Sequence, residues 1–184
     1  HELRTPLNAI IGYSVVPARM FEGVPLPTDA QGVTPLMSLI TYQFLHGGWA
    51  HVIFNMLFLW VFGDNIEDAM GHARLLLFFL ICGAMGALVH GLIDTTSTTP
   101  VIGASGSISG VLGAYLMLYP RARLLVLAFV FIPLRLPAVM VIGTFFAQDL
   151  IWAATSSSAA LGVAVWAHIG GFITGALLVI YMRN

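Results

Sequence analysis

A serine, two histidines and an asparagine interrupt stretches of this chain that are otherwise apolar. Ser105 lies in "IGASGSISG", His168 in "AVWAHIGGFITG", and His51 and Asn55 in "HVIFN". Residues four apart share one face of a helix, so His51 and Asn55 point the same way. His46 stands five residues before His51, at the mouth of the same helix. A hydroxyl within reach of an imidazole becomes a nucleophile, because the imidazole removes the hydroxyl proton and later returns it to the leaving amine. If Ser105 and His168 meet, His51 and Asn55 are available to donate to the oxyanion, together with the Ser105 backbone N–H.

That chemistry needs elements able to bring separate stretches together, and the glycines supply a means. Gly106, Gly110 and Gly113 recur at helical spacing after Ser105, and Gly171 and Gly175 form a small-xxx-small pair beyond His168. Small residues let two helices approach closely in lipid. Lipid is the expected surrounding: of 184 residues 59% are hydrophobic and 8% charged, with a mean hydropathy of +0.94, against roughly 25% charged residues in an ordinary soluble domain. Five stretches are apolar enough for spans of roughly 20 residues. They are 50–62 extended backwards by "LITYQFL", the run from Leu75, 102–119, 136–154, and the closing "VAVWAHIGGFITGALLVIYM". The stretch "LLVLAFVFIPLR" before the fourth contains a proline and is expected to be interfacial or re-entrant. The segment from Val15 to Thr34 is expected to be an outer loop or a short interfacial element.

An ionisable group at mid-membrane costs about 2.5 kcal/mol or more, so each is a functional candidate. The loop charges orient the spans. Arg74, Arg121, Arg123, Arg135 and Arg183 fall on one side, while "DTTSTTP" and "TSSSAALG" carry no basic residue. The positive-inside rule puts the Arg side and the C-terminus in the cytoplasm and the polar cluster toward the outer face. The seven basic residues are all Arg and face eight acidic ones, which excludes a nucleic-acid surface or polybasic lipid anchor. Cys82 stands alone, so no disulfide framework or thiolate metal site is expected. His46 and His51 lack the intervening glutamate and four-residue spacing of a zinc protease helix, and no metal or cofactor is expected. His72, His90 and Asp94 read as structural or solvent-exposed, and Ser107 and Ser109 as packing serines. No charged n-region precedes an apolar h-region, so no signal peptide is expected and the chain reads as a fragment.

The ordered set "HGGWAHVIFN", "FGDNIEDAMGHARLLLFFLICG", "GASG" and "AHIGGFITG" resembles the rhomboid family of intramembrane serine proteases, over about residues 15–181. The resemblance implies an all-α polytopic helical bundle, here with five of the family's usual six core transmembrane helices. It implies that Ser105 is the nucleophile and His168 its general base, in a dyad with no third carboxylate. It further implies that His51 and Asn55 serve the oxyanion hole, that His46 shapes the cavity mouth, and that Glu67 is a structural acid at the cytoplasmic end of its span. The Trp-Arg pair common in the family's outer loop is not found between Ser14 and Tyr42. Residues 1–14, "HELRTPLNAIIGYS", resemble instead the phosphoacceptor box of sensor histidine kinases. No ATP-binding domain follows, so a kinase fragment is the weakest alternative, and the box reads as a fusion junction or artefact joined to a membrane protease domain over 15–184.

The expected function is cleavage of peptide bonds in or near transmembrane segments of membrane proteins. A helical carbonyl is shielded, so substrates are expected to carry helix-weakening Gly or Pro and a small residue at the cleaved bond. The alternative is a catalytically impaired relative that only binds transmembrane helices. The expected setting is a multi-pass protein of a prokaryotic plasma membrane.

Overall fold

The computed structural model describes residues 4–28, 30–128, 132–155 and 164–183. His1 and nearly all of the "TSSSAALG" loop lie outside them. The described chain is mostly helical: α1 Arg4–Tyr13, α2 Pro17–Phe21, α3 Pro35–Thr41, a 3-10 turn Tyr42–Phe44, α4 Trp49–Met70, α5 His72–Ile93 and α6 Ser105–Leu118 come first. Strands β1 Arg123–Ala128 and β2 Ile132–Pro137 follow, then α7 Ala138–Thr155 and α8 Val165–Met182.

Helix α6 is the centre, packed chiefly on α8 and α5, with α4 and α7 on its other flank. Most of its side chains are buried, whereas the surrounding helices turn Trp60, Leu76, Ile151 and Leu177 outward. In a membrane that outward apolar surface is where lipid replaces water. Phe62, Ile66, Phe78, Val111, Ile142 and Val179 form the core where α4 to α8 meet.

Three expected boundaries are corrected. "LITYQFL" does not continue α4 backwards: α3 and the 3-10 turn meet α4 at 86°. The break falls at Gly47–Gly48, before Trp49. The turn is held sideways, because Tyr42 Oη donates to Gly83 O at 2.6 Å and Gln43 Nε2 donates to Leu80 O at 3.2 Å. Helix α4 also runs beyond Phe62 to Met70, taking Asp64, Glu67 and Asp68 into its last turns. Gly71, at φ +83°, a region that favours glycine, turns the chain directly into α5.

The third expected span, 102–119, is a helix of only 14 residues. At 1.5 Å per residue it is about 21 Å long, short of the roughly 30 Å hydrocarbon thickness. Among the described residues, α5, α7 and α8 are each long and apolar enough to cross, and α3 with the 3-10 turn and α4 is so only as a pair bent by 86°, the shape of a broken span or a re-entrant loop. A central helix surrounded by others need not reach both lipid surfaces.

Before α7, β1 and β2 pair antiparallel, with Arg123 opposite Pro137 and Leu127 opposite Pro133. A two-stranded sheet consists of edges, where proline is tolerated. Between Ser14 and Thr34 the chain is pinned: Val15 bridges Val101, and Thr34 caps α3 by accepting from Met37 N at 3.3 Å. The end of the kinase-like box joins this packing. Val33 N donates to Gly12 O at 3.2 Å, and Thr41 Oγ1 donates to Tyr13 O at 2.6 Å.

Candidate active site

Ser105 is the first residue of α6 and His168 lies in the first turn of α8. The two helices run parallel, since Gly106, Gly110 and Gly113 on one lie successively against Ala167, Gly171 and Phe172 on the other. Their N-termini therefore meet at one level. The approach is backbone to backbone: a Cβ at Gly171 would lie 2.8 Å from Gly106 C, and one at Gly175 2.5 Å from Gly110 C. Contacts under 3.0 Å do not occur for real Cβ atoms, so glycine is required at these crossings.

The result is a hydrogen bond of 2.9 Å between Ser105 Oγ and His168 Nε2. The bond suits proton transfer from hydroxyl to imidazole. Amides in the first turn of α6 have no intrahelical acceptor, and the first intrahelical bond there is Ile108 N to Ala104 O at 2.9 Å. Such a helix start stabilises negative charge.

A cavity of about 240 Å³ opens beside this pair, lined by Asn55, Ser105, Ser109, Asp149 and His168, with aromatic walls that include Phe145 and Trp152. Asn55 is 6% exposed, and its Nδ2 finds no acceptor among the described residues. An unmet donor in a buried site is costly unless a ligand oxygen can take it. His51, one turn earlier, does not line that cavity. Its ring lies over Gly103, where a Cβ would come 2.6 Å from His51 Cε1, and its Nδ1 accepts from Gly47 N at 3.4 Å. Gly103 has φ +113°, and only glycine meets both demands. His46 stands edge-on to His51 with ring centroids 5.0 Å apart. Its Nε2 is buried without a partner among the described residues.

Two features escaped sequence reasoning. Ser107, read as a packing serine, donates to Gln43 Oε1 at 2.8 Å, and Gly103 N donates to Tyr42 O at 2.9 Å. The 3-10 turn thus anchors the start of α6 that presents Ser105. The second is Asp149 on α7, whose carboxylate oxygens lie 3.3 and 3.5 Å from His168 Nδ1. The expected dyad without a third carboxylate therefore has a carboxylate beside it. The signal was present, since Asp149 is the one charged residue in α7. Glu67 pairs with the exposed His72 at the α4–α5 turn, far along α4 from Asn55. Among the described residues no cluster of His, Cys, Asp or Glu has the make-up of a metal site.

Residues 34–184 match the Rhomboid domain family. The chain is similar to RHOMBOID-like protein 4 of Arabidopsis thaliana, 34% identical over 172 residues, covering 93% of this chain and 40% of that protein. It is similar to Rhomboid protein 1, mitochondrial, of Saccharomyces cerevisiae, 29% identical over 150 residues, 79% of this chain and 41% of that one. It is also similar to the Rhomboid protease GluP of Bacillus subtilis, 42% identical over 78 residues, 42% of this chain and 15% of that one. The chain spans about two fifths of the first two proteins.

Proposed function

The chain belongs to the rhomboid family of integral membrane proteins, and on that premise we propose that it is an intramembrane serine endopeptidase acting on membrane-protein substrates. The observation that carries this reading is the 2.9 Å contact of Ser105 Oγ with His168 Nε2 beside a cavity with an unmet Asn55 donor. Likeness to relatives named as proteases supports it.

In this reading the Ser105 hydroxyl gives its proton to His168 Nε2 as Oγ bonds to the scissile carbonyl carbon, and the carbonyl electrons move to oxygen. The amides of the first turn of α6 and Asn55 Nδ2 receive that oxyanion. His51 belongs with Asn55 by its position on the same face, and steadies the Gly103 segment that leads into Ser105. His46 backs His51 by its edge-on ring contact, and neither ring lines the cavity beside Ser105. His168 then passes its proton to the leaving nitrogen, and water repeats the cycle to release the acyl product. A substrate helix must unwind to present a carbonyl at this depth, so segments weakened by Gly or Pro are the proposed substrates. The proposed setting is a prokaryotic plasma membrane with the C-terminal end in the cytoplasm, a reading supported by the arginines of the loops on that side.

The test is labelling of the detergent-solubilised chain with a fluorophosphonate probe beside Ser105→Ala and His168→Ala. Labelling of the wild type that is lost in both variants is expected. A folded wild type that stays unlabelled, or labelling that survives in Ser105→Ala, overturns the reading.

A further inference from the structure

Asp149 is an expensive residue in its place. It is the one charged side chain of an 18-residue apolar helix, and it is 18% exposed. A carboxylate there needs a partner, and the one the described residues give it is His168, itself 18% exposed. The partner atom is Nδ1, while Nε2 on the other edge of the ring faces Ser105 Oγ at 2.9 Å. A neutral imidazole carries one hydrogen, and the bond made by one nitrogen decides the role of the other. For Nε2 to accept the Ser105 proton, the hydrogen must sit on Nδ1, which is where the Asp149 carboxylate can accept it.

The fold delivers this contact by helix periodicity. Ile142, Phe145, Phe146, Asp149 and Trp152 recur at spacings of three and four along α7, and all line the cavity. Phe146 stacks on Phe172 of α8 with centroids 4.2 Å apart. That ring pair holds α7 against α8, the helix that carries His168.

We propose that Asp149 is a positioning residue for His168, holding its imidazole for the proton transfer from Ser105. This inference rests on the serine-protease reading. Asp149 accepts the Nδ1 hydrogen throughout and neither gains nor loses a proton. The proton from Ser105 goes to Nε2, the imidazolium that forms keeps its Nδ1 hydrogen toward the carboxylate, and Nε2 later gives its proton to the leaving amine. The carboxylate selects the productive tautomer and offsets the positive charge of the ring. At 3.3 and 3.5 Å the contact is longer than a tight charge-assisted bond, as catalytic contacts often are before substrate closes the site.

The test uses the full chain in detergent, as wild type and as Asp149→Leu, Asp149→Asn and Asp149→Glu. Leu suits an apolar helix and Asn keeps the shape, so failure of one variant to fold leaves the other. Fluorophosphonate labelling is followed over probe concentration. The maximal rate in the Leu and Asn variants is expected to fall by about a hundredfold to ten-thousandfold, the upper figure being that for loss of the carboxylate from a serine-protease triad. The half-saturating probe concentration should hardly change, and Glu should recover part of the rate. In parallel, nitrogen NMR of histidine-labelled protein, with the His168 signal identified by its loss in His168→Ala, should find hydrogen on Nδ1 in the wild type and its redistribution to Nε2 in Asp149→Leu. Wild-type labelling rates in Asp149→Leu, or a fall in rate with the tautomer unchanged, overturn the proposal. The spectrum needs no activity. A wild type that never labels but holds its hydrogen on Nδ1 through Asp149 would therefore sink the protease reading while leaving the contact established.

Discussion

The two flanks of α6 are built in opposite ways. Toward α8 the helices touch backbone to backbone, and Gly171 and Gly175 lie so close to the Gly106 and Gly110 backbone that neither has room for a methyl group. Toward α4 and α7 the space is a cavity of about 240 Å³ with aromatic walls, closed in part by an edge-to-face contact of Phe58 with Phe145 at 5.5 Å. The Ser105–His168 bond lies on the seam between them. In the proposed protease the close flank would fix a distance that must hold to within a fraction of an ångström, and the open flank would leave space for a substrate segment. Rigidity and access are separated by side of one helix.

The largest effect should come from filling the close flank. Gly171→Leu drives a side chain into the Gly106 backbone, which cannot move without displacing its neighbour Ser105. Overpacking commonly costs about 1–3 kcal/mol and more where backbone is the obstacle. Loss of fluorophosphonate labelling with a marked drop in melting temperature is expected, and a stable, fully labelled Gly171→Leu protein would show that the flank is not rigid.

An intermediate effect is expected where the flanks meet. Asn55→Ala should lower the maximal rate by about 10²–10³, the usual loss for one oxyanion donor, with the melting temperature nearly unchanged because Nδ2 has no partner to lose among the described residues. A thermal shift without a change in rate would make Asn55 structural.

The smallest effect belongs to the open flank. Phe145→Ala removes a ring contact worth about 0.5–1.5 kcal/mol between α7 and α4. Cleavage of a transmembrane substrate containing Gly or Pro should speed up a few-fold, while a version with those residues replaced by Leu should gain little. Equal gains for both, or a collapse in stability, would erase the distinction between the flanks.

The parts legible in the sequence are those written in local pattern. Ser105 and His168 stand beside glycines at helical spacing, and that spacing brings parallel helices together without any knowledge of the rest of the fold. His51 and Asn55 share a helix face because they are four residues apart. Composition sufficed for a membrane bundle. Where local pattern failed, a distant contact had decided the outcome. "LITYQFL" is apolar enough to prolong α4, yet Tyr42 and Gln43 bond to α5 and the chain bends at Gly47–Gly48. The pairing of Arg123–Ala128 with Ile132–Pro137 is compatible with the expected interfacial or re-entrant stretch, though the strand partner was not read from the sequence.

By itself the sequence determined the apolar surrounding and the family and marked the candidate residues, since hydropathy and motif spacing are properties of short stretches. Only the tertiary structure decided which nitrogen of His168 faces Ser105 and which faces Asp149. It also decided that α6 is too short to span alone, and that one flank is closed while the other is open. Those outcomes depend on contacts between residues 19 to 64 apart in the chain, and on side-chain direction at each crossing, which no local pattern encodes.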